Sequence, residues 1–168
     1  MSGQHKAPSK AQVARHAARE LAVQALYQWE LQHREKSLST VEVEFRSQLA
    51  DEDAPDAENW VKVMAAADLG LFHDLLKGMA SQQEYLDGLI EPLLDRALKD
   101  LDNIELAILR LGAYELAERQ EVPYRVVINE GVELAKEFGA TDGHKYVNSI
   151  LDKLAERLRS VEVRARRA

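Results

Sequence analysis

The sequence predicts an all-α protein, and three observations carry that reading. Apolar residues recur at three- and four-residue spacing along most of the chain, no segment alternates apolar and polar residues as a strand would, and glycine and proline are few, at eight and four of 168 residues. With 46% hydrophobic and 30% charged residues, the composition is that of a globular helical domain and not of a disordered chain. A chain of this length makes one domain, or two closely packed helical subdomains, and buries roughly 70% of its unfolded surface.

Residues 1–12, with Ser, Gly, Gln, Lys and Pro, read as a flexible basic arm before a single domain over 13–168. The stripe Val13, Ala17, Leu21, Ala25 and Gln28 or Trp29 marks a long helix from about Gln12 to His33. Ser39-Thr40-Val41-Glu42 offers a capping box for a second helix through Val43, Phe45 and Leu49. The acidic, proline-bearing run Asp51 to Asp56 is a solvated linker. Helical patterning resumes over 59–66 and again from Leu69 through Leu75, Leu76 and Met79 to Leu86, with Gly88 as its stop. Pro92 suits the first turn of a short helix holding Leu93, Leu94, Ala97 and Leu98. Leu101-Asp102-Asn103 caps a strongly apolar helix with Ile104, Ala107, Ile108, Leu111 and Leu116, central to the core. Past Pro123, Val127, Gly131, Leu134 and Phe138 share one stripe, and Val147, Ile150, Leu151, Leu154 and Leu158 share another, so two helices meet at a short corner. The count is about seven helices, with an N-terminal subdomain over 13–88, including the acidic insertion, and a C-terminal one over 89–160.

Chemistry is limited by what is missing. Without cysteine there are no disulfides, thiolate metal sites or cysteine nucleophiles. No Walker loop, dinucleotide glycine fingerprint, His-Glu-x-x-His or Gly-x-Ser-x-Gly is present. The five histidines stand without ligand-type partners at helical spacing, so each reads as a surface or satisfied-core residue. A non-catalytic protein with no cofactor and no metal is the expectation. No apolar run approaches the roughly 18 residues that cross a bilayer, and the N-terminus lacks a secretory apolar segment, so a cytoplasmic location is expected.

Charge is unevenly placed. The first nineteen residues carry +4 from Lys6, Lys10, Arg15 and Arg19, so the rest carries −11 of the net −7. An acidic body repels nucleic acid at large, whereas a local cationic pole still holds phosphate, because salt screens charges beyond about 8 Å. Arg15 and Arg19 lie four apart near a helix start, a place unfavourable to cations that often marks an anion's seat, and Gln24 and Tyr27 follow on the same helix. The corner adds Asp142, Lys145 and Tyr146. Cations, amides and rings together suit single-stranded RNA.

Five blocks carry a resemblance: Arg15 to Trp29 (RHAARELAVQALYQW), Tyr85 to Leu89 (YLDGL), Leu109 to Leu116 (LRLGAYEL), Val122 to Glu130 (VPYRVVINE) and Phe138 to Lys153 (FGATDGHKYVNSILDK). In this order they cover nearly the whole chain and resemble the bacterial NusB family of transcription antitermination factors. The resemblance implies an all-α protein of two helical subdomains that binds the boxA element of ribosomal RNA leaders. It also implies a partner, the ribosomal protein NusE, and assembly with RNA polymerase and other Nus factors, as a monomer or weak homodimer. It places RNA contacts at Arg15, Arg19, Gln24, Tyr27, Asp142, Lys145 and Tyr146, with Lys6 and Lys10 of the arm compensating for an arginine run thinned to Arg15-His16-Ala17. The middle helices, with Tyr85, Glu91 and Asp95, are the implied NusE surface, an acidic face suited to a basic protein. The physical expectation is one cationic rim shared by the first helix and the corner. The alternatives are a helical protein-interaction module without RNA affinity, or a stand-alone relative of the helical domain of RNA methyltransferases.

Overall fold

A Ser9 hydroxyl that accepts from the Gln12 backbone N–H, answered by the Gln12 side chain on the Ser9 N–H, starts the first helix at Lys10, within the last three residues of the segment expected to be a free arm. The computed structural model describes residues 7–32 and 35–167, so Lys6 and the expected helix end at His33 lie outside the described residues. Among the described residues it is all-α, as expected, with nine α-helices and two short 3-10 turns: α1 Lys10–Leu31, α2 Leu38–Leu49, α3 Ala57–Ala66, α4 Leu69–Ser81, α5 Gln83–Ile90, α6 Asn103–Glu118, α7 Tyr124–Phe138, α8 Gly143–Leu158 and α9 Ser160–Arg167.

Several boundaries differ from the sequence reading, each for a local reason. Ser37, not Ser39, caps α2, its hydroxyl accepting from the Thr40 N–H. The helix expected to run from Leu69 past Leu86 breaks at Gln82, whose φ of −113° and ψ of 18° turn the chain between α4 and α5, while Gly88 lies inside α5. Around Pro92 the chain forms short 3-10 turns at Glu91–Leu93 and Leu98–Asp100 instead of the expected α-helix, with extended backbone at Leu94 and Ala97 between them. The basic C-terminal segment forms α9, a helix the apolar periodicity did not announce.

Helix α6 is the centre of the molecule, with Ile104, Ala107, Ile108, Leu109, Leu111 and Leu116 all buried, and it packs against α1, α4, α5, α7 and α8. Arg110 of α6 forks onto Asp87 of α5 at 2.8 and 3.0 Å and lies 3.6 Å from Glu30 of α1, tying three helices together. Buried Arg159 closes the C-terminal end of α6, donating to the carbonyls of Glu115, Leu116, Arg119 and Val122 at 2.8 to 3.2 Å. These carbonyls belong to the last turn of α6 and the segment just after it, where acceptors outnumber helical donors, and a cation there also suits the helix dipole. The segment around the acidic linker is held by α3, where Trp60 stacks on Phe138 at the end of α7 with ring centroids 6.2 Å apart. That contact brings the insertion beside the corner between α7 and α8.

Candidate nucleic-acid interface

Arg15 and Lys10 are exposed on the first turns of α1. Arg15 lines a groove of about 710 Å³ between α1, α3 and α7, together with Gln12, Lys62, Val126 and Asn129. Beneath it, His16 is hydrogen-bonded through Nδ1 to Glu130 at 2.6 Å and through Nε2 to Glu137 at 2.7 Å, with Glu20 3.5 Å away. The hydrogen bonds to Glu130 and Glu137 hold the imidazole protonated, its pKa pushed up to about 10 against the opposing effect of burial. Burial and the neighbouring Glu137 push Glu20 up to about 7. Glu137 itself is lowered: burial works against this, but the His16 hydrogen bond outweighs it. Among the described residues, His16, Glu20 and Glu137 offer ligand atoms within 4.8 Å of one another, close enough to share a cation. In the structure the imidazolium itself serves as that cation.

Arg19 also lines this groove, but its guanidinium is engaged inside the protein. Its side chain is 4% exposed, and Nε and Nη2 fork onto the two carboxylate oxygens of buried Glu115 at 2.7 and 2.9 Å. The unfavourable cation near the start of α1 is explained by an internal partner on α6. Gln24 follows Arg15 by nine residues, about 180° around the helix, and so occupies the opposite side of α1. Tyr27 shares a face with Gln24 and is partly buried against the core. The α1 residues expected to form one surface therefore divide between two faces and the interior.

The corner is a second cluster. Asp142 adopts the left-handed conformation at φ 67° to admit α8, and Lys145, 73% exposed, reaches back to it at 3.4 Å. A Cβ at Gly143 would collide with the Glu105 carboxylate, so the chain passes close to α6 at this point. The Tyr146 hydroxyl donates to Asp95 at 3.0 Å, and the Arg96 guanidinium lies over the Tyr146 ring, 4.7 Å from its centroid. Arg96 also forks onto Asp95 at 2.8 and 3.3 Å. Hydrogen bonds from Arg96 and then from Tyr146 bring the Asp95 carboxyl down to about 2, while burial and the bond to Asp95 raise the Tyr146 hydroxyl.

The expected single rim is thus two clusters, since no residue of 139–146 lines the α1 groove. Asp95, assigned to the partner surface, touches Tyr146, assigned to RNA, so those two faces adjoin. Tyr85 and Glu91 are exposed on and just after α5. Sequence reasoning missed Arg96 and Lys62. Arg96 sits in an irregular segment where periodicity is silent, and only the fold carries it to Tyr146. Lys62 shares its helix turn with Glu58 and looks like a solvated pair, at 3.6 Å. No helix among the described residues is long and apolar enough to cross a membrane.

A family model described as the NusB family matches residues 16–156. The chain belongs to the NusB family. The transcription antitermination protein NusB of Chromohalobacter salexigens is 66% identical over 167 residues, 99% of each chain. That of Hahella chejuensis is 51% identical over 157 residues, covering 94% of this chain and 95% of its own. Among solved structures, T. maritima NusB aligns with a TM-score of 0.67 at 28% identity, over 90% of this chain and 92% of that one. A NusB solved with NusE and double-stranded RNA shares the fold, with a TM-score of 0.64 at 24% identity over 84% and 96% of the two chains.

Proposed function

We propose that this NusB-family antitermination factor is a non-catalytic cytoplasmic adaptor. It binds the single-stranded boxA element of nascent ribosomal RNA leaders together with NusE, and the pair joins RNA polymerase and other Nus factors to suppress termination. The observation that carries the reading is the corner of α8, where Tyr146, the guanidinium of Arg96 and Lys145 stand beside the exposed carboxylate of Asp142. Unstacked bases lie on aromatic and guanidinium planes for about 1–3 kcal/mol each, and phosphates take the cations. In this reading Tyr146 and Arg96 form the stacking platform, Lys145, Arg15 and Lys10 hold phosphates, and Asp142 accepts from base edges. Arg19 is a positioning residue that fixes α1 on α6. Tyr85 and Glu91, with acidic neighbours, form the edge that meets basic NusE, beside the RNA because Asp95 joins the two. A solved NusB in complex with NusE and double-stranded RNA supports RNA and NusE as the classes of partner in this reading.

Fluorescence anisotropy with boxA RNA and a scrambled RNA, with and without NusE, tests the reading. The chain with NusE is expected to prefer boxA. Lys145→Ala should weaken both RNAs alike and make the salt slope shallower by about 0.7, the share of one phosphate on a single strand. Asp142→Asn keeps a residue that tolerates the left-handed backbone and should erode only the preference for boxA, by about 1–3 kcal/mol. Equal affinity of the wild-type complex for boxA and scrambled RNA would overturn the proposal.

A further inference from the structure

Helix α9 lies beyond the residues matched by the family model and is fixed by buried Val163 and by the Arg159 to Glu162 pair at 2.9 Å. Its exposed face carries Arg164, Arg166 and Arg167. Arg166 and Arg167 line a broad groove of about 1270 Å³ with Arg125, Asn129 and Asn148. Val126 and Asn129 of α7 line both this groove and the one at Arg15, so the two grooves adjoin along α7. The acids along this path are largely engaged by the protein itself. Glu130 is held by His16, and Glu162 accepts from Arg159 and from the Tyr124 backbone N–H at 3.1 Å. Asp152 also lines the groove, and Glu156 pairs with Arg167 at 3.2 Å. The path from Arg15 past Lys62 to Arg125 and Arg166 is thus a cationic track with neutral amides between its charges, on a chain that is negative overall.

We propose that single-stranded RNA flanking boxA continues along this track, its phosphates on Arg125, Arg166 and Arg167 and its sugars and bases beside Asn129 and Asn148. The inference rests on the RNA-binding reading above and extends it to sequence-independent contacts, since guanidinium groups on phosphates carry no base information. Spaced guanidinium groups with amides between them suit the phosphates of a flexible polyanion, and the exposed side chains of Val13 and Val126 along the same path offer apolar surface to its bases.

The test compares a boxA RNA of about 12 nucleotides with versions extended by about 12 unstructured nucleotides at the 5′ or the 3′ end, a span in the range of single-strand sites. Each is titrated with the wild-type chain and with the triple variant Arg125→Ala, Arg166→Ala, Arg167→Ala, always with NusE present. All three side chains are exposed, so the fold is retained. One extended RNA should bind the wild type more tightly, with a salt slope steeper by about 2 for three added phosphate contacts, so that its advantage shrinks roughly 20-fold between about 50 and 200 mM salt. The variant should bind the short RNA like the wild type and gain nothing from the extension. Normal binding of the short RNA with no gain from either extension, or a gain that survives in the variant, overturns the track alone. No binding of the short RNA overturns the antitermination-site reading and the track with it.

Discussion

Arg19 and His16 show how far a residue's role depends on what the fold puts opposite it. Arg19 is a cation on a polar-looking helix start, yet its fork on Glu115 makes it part of the interior. Arg19→Ala leaves a carboxylate buried without its partner, and the expected loss is about 3–5 kcal/mol of stability by urea unfolding. The double change Arg19→Met with Glu115→Leu removes both charges, so it should restore most of that loss. If the double variant folds but no longer binds boxA RNA, Arg19 touches RNA after all. His16 makes stability depend on pH. Its folded pKa of about 10 lies above its ordinary value near 6.5, so its contribution is complete below about pH 6.5 and is lost as pH rises through about 10. Glu20 is raised from 4.5 to about 7, so its protonated form is favoured in the folded chain, and stability falls as pH rises from about 4.5 to 7. Glu137, being lowered, contributes above the ordinary carboxylate range and is lost only in acid. Thermal unfolding from pH 5 to 10 should therefore show a falling melting temperature. His16→Gln should flatten the part above pH 7, and an unchanged slope in that variant would refute the assignment.

At the scale of elements, the helices that pack deepest are those whose sequence announced them. The stripes on α6, α7 and α8 follow the apolar spacing because each faces neighbours along its whole length. Their close approach depends on Gly112 and Gly131, where a Cβ would meet Leu151 side-chain carbons at 2.5 Å. Gly131→Ala should cost about 1–3 kcal/mol by overpacking, and trimming Leu151 to Val in the same chain should recover part of it. Calorimetry on the two variants checks this. The elements read less well were those governed by a single turn or a short range. The break at Gln82 has no proline or glycine to mark it, so it reads as continuous helix until α4 and α5 are seen to face different neighbours. Helix α9 has only Val163 buried, too few apolar positions for periodicity to reveal, and its arginines register as a charge run. Arg96 was invisible for a related reason, since the irregular segment it occupies has no face until Tyr146 supplies one.

For the whole molecule, charge separation was legible in the sequence but its geography was not. A +4 N-terminal segment on an acidic chain predicts a cationic pole. The structure adds Lys62 on α3 and the arginines of α9 along α7, and it sets the stacking platform at the corner apart from that groove. The corner residues were found because Asp142, Lys145 and Tyr146 cluster within five positions at a helix start. Their meeting with Asp95 and Arg96 was not, because it joins residues about fifty positions apart. The sequence by itself determined the all-α class, the family and the polar corner, since helical periodicity, motif order and local composition are properties of neighbouring residues. Only the tertiary structure decided which cations face outward. Burial and ion pairing depend on the partner that another helix brings, and Glu115 on α6 turns Arg19 inward while Arg15, one turn earlier, stays in solvent.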